Sequence, residues 1–149
     1  MKLKLLENEN MGRVTAEATI ENIEDLWEVD RGLRESAAAR SVVVDDALVD
    51  TGAVMLSLPA KLIRQLGLVK KNTKTVRTSA GLVVADVYGP TRLTIQARSC
   101  TLDVLEVPDG VPTLVGQVPL EMLDFIVDPI NQRLIGNPEH NGEHMYDMF

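Results

Sequence analysis

The stretch "DALVDTGAVMLSLP", residues 46–59, decides how the rest of the chain is read. An apolar run, Ala47-Leu48-Val49, meets a single carboxylate, Asp50, and then a Thr51-Gly52 break; a second apolar run follows at once. Upstream, "SVVVDDALVD" is rich in β-branched residues, whose crowded Cβ atoms favour extended backbone, so it reads as one long strand ending at Asp50. Gly52 can take backbone angles that other residues avoid, and "VMLSL" reads as a second short strand. Pro59 suits the first turn of a helix over "AKLIRQLG", with Leu62, Ile63 and Leu66 on one side and Gly67 as its stop. A carboxylate closing a buried strand loses water and needs partners. Thr51 offers a hydroxyl beside it, and Gly52 lets a backbone amide come close. On the tripeptide alone, an ordinary Asp-Thr-Gly turn is the competing reading.

Working outward, "GRVTAEATI" alternates over Val14, Ala16, Ala18 and Ile20 as a strand does. The segment "ENIEDLWEVDRGLRESAAAR" is ambiguous: Trp27 could extend that strand or sit on a short helix, and residues 30–40 read as a polar excursion. "TKTVRTSAGLVVADVYG" reads as a hairpin turning near Ser79-Ala80-Gly81. "TRLTIQA" and "CTLDVLEV" form a further pair around Arg98-Ser99. "PDGVP" is a turn, "TLVG" a short buried strand, and "PLEMLDF" a short helix. "FIVD" and "QRLIG" make a last hairpin across Pro129-Ile130-Asn131. Many strands and two short helices, without repeat or linker, make residues 1–149 one mainly β domain. Residues 1–11 are an N-terminal extension, with Met11-Gly12 a possible second start, and residues 138–149 form a C-terminal tail.

Composition narrows the function classes. The 149 residues match one domain, and 45% hydrophobic content with only 3% aromatics implies a core of Val, Leu, Ile and Ala. A net charge of -7 argues against nucleic acid, whose phosphates need a basic surface. The basic cluster Lys70, Lys71, Lys74 and Arg77 reads as a solvated face. Cys100, the only cysteine, excludes an intrachain disulfide and reads as a small core residue. No apolar run reaches the length of a signal peptide core or a membrane span, so a cytoplasmic protein without membrane contact is expected. Asp45, Asp46, Asp103, Asp124 and Asp128 are expected at the surface. His140 and His144 are four apart, but Asn141-Gly142 between them disfavours a helix and no third ligand is evident, so no metal and no cofactor are expected.

Taken together, "ALVDTGA", "LSLP", "LGL", "GQVPLEMLDF" and "RLIGNP" resemble the retroviral-type (retropepsin-like) clan AA aspartic proteases, and within them a bacterial single-domain group. The resemblance spans roughly residues 12–137. It implies a retropepsin-like acid protease fold: a closed β-barrel-like domain with two short helices, acting as a symmetric homodimer. It implies an aspartic-type endopeptidase in which a water is activated between Asp50 of two chains. Two carboxylates there share one proton, and a chain of this length has no room for a second lobe. By the same resemblance Thr51 and Gly52 support the catalytic Asp50. Ala53 lines the cleft floor, and Thr78, Ser79, Ala80 and Gly81 lie in a flap over a peptide or protein substrate. Leu114, Val115 and Gly116 pack beneath Asp50 in a psi loop. The sequence departs from the viral enzymes in having one glycine, Gly81, at the flap tip, and Gln117 where they carry an arginine. The rival reading is a catalytically silent dimeric module of the same fold that binds peptide or protein. The tail "EHMYDMF" is either an arm at the dimer interface or a segment lying in the cleft.

Overall fold

In the computed structural model residues 13–148 are described, so the N-terminal extension, the second start at Met11-Gly12 and Phe149 lie outside the described residues. β1 (Val14–Asn22) runs antiparallel to β2 (Ser41–Val49). Next come β3 (Leu56–Pro59), α2 (Ala60–Leu66), and the long antiparallel pair β4 (Val69–Thr78) and β5 (Gly81–Ile95). β6 (Arg98–Val107), β7 (Leu114–Val115) and α3 (Gln117–Leu123) follow, then the hairpin β8 (Phe125–Asp128) and β9 (Arg133–Gly136). The first helix among the described residues, α1 (Ile23–Asp30), leaves β1 directly.

Six strands close on themselves in the order β1-β2-β7-β3-β6-β5, with β5 returning to β1 through Thr19–Thr94 and Ile20–Leu93. Closure removes the sheet edges that an open sheet would leave unpaired. The barrel interior holds Ala18, Ile20, Ala47, Leu56, Leu58, Leu93, Val104 and Val115, and Leu66, Leu120 and Leu123 pack against it from the helices. Aliphatic side chains fill this space, as the scarcity of aromatics requires. Cys100 is one of the core residues, and its burial pushes the thiol up to about 11, leaving it un-ionised at neutral pH.

Among the described residues three α-helices are present rather than two. The ambiguous segment becomes α1 because Asn22 accepts a hydrogen bond from the Asp25 amide at 3.1 Å, capping the helix start, with Glu24 and Asp25 in its first turn. α2 begins after Pro59 and stops at Gly67, which takes the left-handed conformation at φ 62°.

A second correction concerns β5. "VYGPTRL" reads as a break between two elements, yet residues 81–95 form one strand. Gly89-Pro90 falls where the register with β6 shifts between Tyr88 and Thr91, a bulge that needs no ladder amide from the proline. The turn into β6 is Gln96-Ala97, both at positive φ, and Arg98 and Ser99 are already paired with β5.

Asp45 and Asp46 are exposed, beside a register break in the pairing of β1 with β2. Asp103 and Asp128 are half-buried. Asp124 is buried at the end of α3, against expectation.

Candidate active site

The Asp50 turn is built mostly by backbone. β2 ends at Val49, and the next amide, of Asp50, donates to the Val115 carbonyl at 3.0 Å. β7 therefore holds Asp50 by its main chain. Leu48 and Val49 pair parallel with Leu114 and Val115, which pair antiparallel with Ser57 and Leu56. The strands on either side of the turn are thus not neighbours; β7 lies between them. The Ala53 amide closes the turn on the Asp50 carbonyl at 3.1 Å, and the Gly52 amide donates to Asp50 Oδ1 at 2.9 Å. This second bond is the Asx geometry that Asp favours in turns. It aims the carboxylate without using up both oxygens. A Cβ on Gly52 would stand 3.2 Å from Oδ1, so the glycine permits the approach.

The chain after the turn is clasped to the start of α3. The amides of Gly116, Gln117 and Val118 have no partner within the helix. They donate instead to the carbonyls of Met55 (3.1 Å), Ala53 (2.8 Å) and Val54 (2.9 Å). Gly116 is demanded by this contact, since a Cβ there would lie 2.6 Å from the Met55 carbonyl oxygen and 2.8 Å from that of Ala53. The structure therefore brings Asp50, Thr51, Gly52 and Ala53 together with Leu114, Val115 and Gly116 in one backbone network. Gln117 directs its side chain to Glu121 at 3.2 Å, within α3.

Asp50 is half-buried, and Thr51 and Gly52 are exposed. Val54 and Val118, bonded to each other through their backbones, are exposed beside them. Among the described residues no cation and no second carboxylate reaches Asp50, and the Gly52 amide is the bond to its side chain. One carboxylate so placed can accept a proton or donate one, but cannot hold both states at once.

The hairpin tip stands apart. Thr78 Oγ1 donates to the Gly81 carbonyl at 2.9 Å and accepts from the Ala80 amide at 3.2 Å, closing the turn on itself. Thr78, Ser79, Ala80 and Gly81 are all exposed. Among the described residues no hydrogen bond links this tip to the Asp50 turn. A cleft of about 490 Å³ lies elsewhere, lined by Thr15, Glu17, Thr94, Gln96 and Arg133.

Two polar clusters escaped the sequence reading. Asp25 is buried and is gripped by Arg40 through Nε at 2.8 Å, Nη2 at 3.0 Å and the backbone amide at 2.9 Å, with Arg34 at 3.3 Å. The Arg40 bonds outweigh burial and hold the Asp25 carboxyl below its ordinary pKa. At the other end of the chain, Asp124 meets His140 Nδ1 at 2.6 Å, Asn137 at 3.3 Å and the Met145 amide at 3.1 Å. His140 Nε2 meets Asp147 at 3.2 Å. Burial works to raise the Asp124 pKa, but the bonds from His140, Met145 and Asn137 bring it below the usual carboxylate value. His140 is raised by its bonds to Asp124 and then Asp147. Tyr146 and His144 both reach the Met122 carbonyl, and Arg98 reaches the carbonyls of Leu123, Asp124 and Gly142. The tail thus folds against the end of α3 in its own chain. These partners are far apart in sequence, and no motif spacing marks them.

Among the described residues no three His, Cys, Asp or Glu side chains gather as a metal cage, and no helix is long and apolar enough to cross a membrane. The sequence matches no known protein-family model, and a search of curated proteins gives no significant match.

Proposed function

We propose that this protein is an aspartic endopeptidase of the retropepsin-like kind, formed by two copies that each contribute Asp50. The observation that carries this reading is the seating of Asp-Thr-Gly. β7 threads between the strands on either side of the turn and holds the Asp50 amide, while the Gly52 amide aims the carboxylate outward. The Asx bond alone would suit an ordinary turn; what supports the reading is that a strand distant in sequence braces the Asp50 backbone while the carboxylate stays partly exposed.

Across a two-fold axis the two Asp50 side chains share one proton, because adjacent carboxylates cannot both ionise at modest cost. The ionised member takes a proton from a bound water as it attacks the peptide carbonyl, and the protonated member donates to the carbonyl oxygen. The titration belongs to the pair and not to either residue. Thr51, exposed in one chain, bonds across the dimer in this reading, and Val54 and Val118 become covered by the partner. The substrate cleft lies between the copies, and the β4–β5 hairpin closes over it.

The test is cleavage of a mixed peptide library by the wild type and by Asp50→Asn from acid to neutral pH, with sedimentation to follow the dimer. The proposal expects cleavage that the substitution abolishes while the dimer persists. Cleavage surviving in Asp50→Asn refutes the assignment. Peptide binding without cleavage by either protein favours a silent binding module.

A further inference from the structure

Beyond Val87, strands β4 and β5 continue as a two-stranded ribbon whose faces follow from its register. Cross-strand partners share a face, and residues alternate between faces along each strand. Val87 is buried at 3% exposure and pairs with Asn72. The pairs Lys74–Ala85 and Val76–Val83 therefore continue the barrel-facing side, while Thr75–Val84 and Arg77–Leu82 form the outer side. Burial agrees with this division. Val76 is half-buried and Val83 is 44% exposed, against 66% for Leu82 and 71% for Val84.

The ribbon is basic in a chain whose net charge is -7. Lys70, Lys71, Lys74 and Arg77 all lie on β4. Lys70 pairs with Asp86 on the outer side at 3.2 Å, Arg77 is also outer, and Lys71 falls in the register break between Lys70 and Asn72. Between Asn72 and Thr78, Lys74 is the charged residue on the barrel-facing side, and among the described residues it makes no ion pair. An ammonium covered by a closing ribbon loses water and needs a counter-charge.

We infer that Lys74 is a specificity-determining residue that selects an acidic side chain in an extended peptide beneath the ribbon, while Val76 and Val83 receive an apolar one nearer the tip. The inference rests on the hairpin's closing over substrate, as in the function proposed above. The favoured substrate class is an extended segment with a Glu or Asp one same-face step, two residues, from an aliphatic side chain.

The test uses full-length protein and matched peptides carrying Glu, Gln or Lys at each position around one cleavage site. Wild type should favour Glu over Lys at one position by at least about tenfold in kcat/KM, since like charges brought together at a contact repel. Lys74→Glu should reverse that order, and Arg77→Glu, on the outer face, should leave it unchanged. Thermal unfolding confirms that both variants are folded. The same peptides, fluorescently labelled, are also bound to Asp50→Asn protein with and without Lys74→Glu and followed by anisotropy, which needs no turnover. Absence of cleavage in wild type counts against the endopeptidase alone, and the binding order then decides the role of Lys74. A charge preference untouched by Lys74→Glu, or shifted equally by Arg77→Glu, overturns the inference.

Discussion

The Asp50 amide donates to the Val115 carbonyl across 3.0 Å, so the residue proposed to do the chemistry is held by a two-residue strand from the far end of the chain. Gly116, next in sequence, has no space for a side chain. Gly116→Ala forces a methyl onto the carbonyls of residues 53–55 and should cost about 1–3 kcal/mol, typical of overpacking. Urea unfolding measures the stability, and peptide hydrolysis on the folded fraction measures activity. Activity should fall further than stability accounts for, because the displaced atoms belong to the Asp50 turn. A variant as stable as wild type removes this account of the glycine.

Arg40→Ala should destabilise the fold by about 2 kcal/mol. Breaking a fully buried pair costs more than this, but Arg40 is 44% exposed at its side chain, and Arg34 stays near Asp25. Since the folded-state pKa of Asp25 is lowered, its stabilising contribution is complete above about pH 4 and disappears as pH falls through the folded value. Chemical denaturation from pH 2 to pH 7 should show wild type and Arg40→Ala converging in acid. Parallel curves would contradict the assignment.

His140 lies between two carboxylates, Asp124 at Nδ1 and Asp147 at Nε2, so both ring nitrogens must carry protons to satisfy both bonds. Its raised pKa means that the clasp is fully formed below about pH 6.5 and weakens as pH rises through the higher folded value. Asp124, lowered, keeps its charge until the pH falls below the ordinary carboxylate range. The tail should therefore be held most firmly in mildly acid solution. Hydrogen exchange at the Met145 amide, which donates to Asp124, should accelerate toward alkaline pH beyond the base-catalysed rate. His140→Gln should remove that extra dependence.

Val54→Lys should separate the copies without unfolding the chain. Val54 is 64% exposed and Val118 41% exposed in one copy, so neither supports the monomer core. In the proposed dimer two lysines would meet near the axis, and a rise of at least about tenfold in the dimer Kd corresponds to about 1.4 kcal/mol. Sedimentation across a dilution series checks this. Undiminished association would place the interface elsewhere on the surface.

Much of the fold was legible because it is written locally. Alternation at Val14, Ala16, Ala18 and Ile20 marked β1, and Pro59 with Gly67 bounded α2 at both ends. The Ser79-Ala80 turn was marked by its small residues. Local signals misled where tertiary contacts took over. Gly89-Pro90 looked like a boundary but sits in a bulge inside β5, and "ENIEDLW" could not declare itself until Asn22 was seen to cap it. The Asp124 cluster was illegible because its members acquire meaning only when the tail folds back. Of the Asp50 site, the turn could be read from Asp-Thr-Gly, whereas the clasp by the amides of residues 116–118 joins backbone segments some sixty residues apart and leaves no local mark.

The position of β7 in the chain also sets when the site can exist. Residue 48 waits for residue 114, and the turn at Asp50 stays unbraced until that late strand inserts between β2 and β3. Pairings so distant in sequence form slowly, and during synthesis they cannot form before the later strand has emerged. A nascent or truncated chain lacking residues 114–118 thus carries the aspartate without the strand that holds its backbone in place. Assembly of the braced turn is tied to the arrival of residues 114–118, more than sixty residues after the aspartate itself.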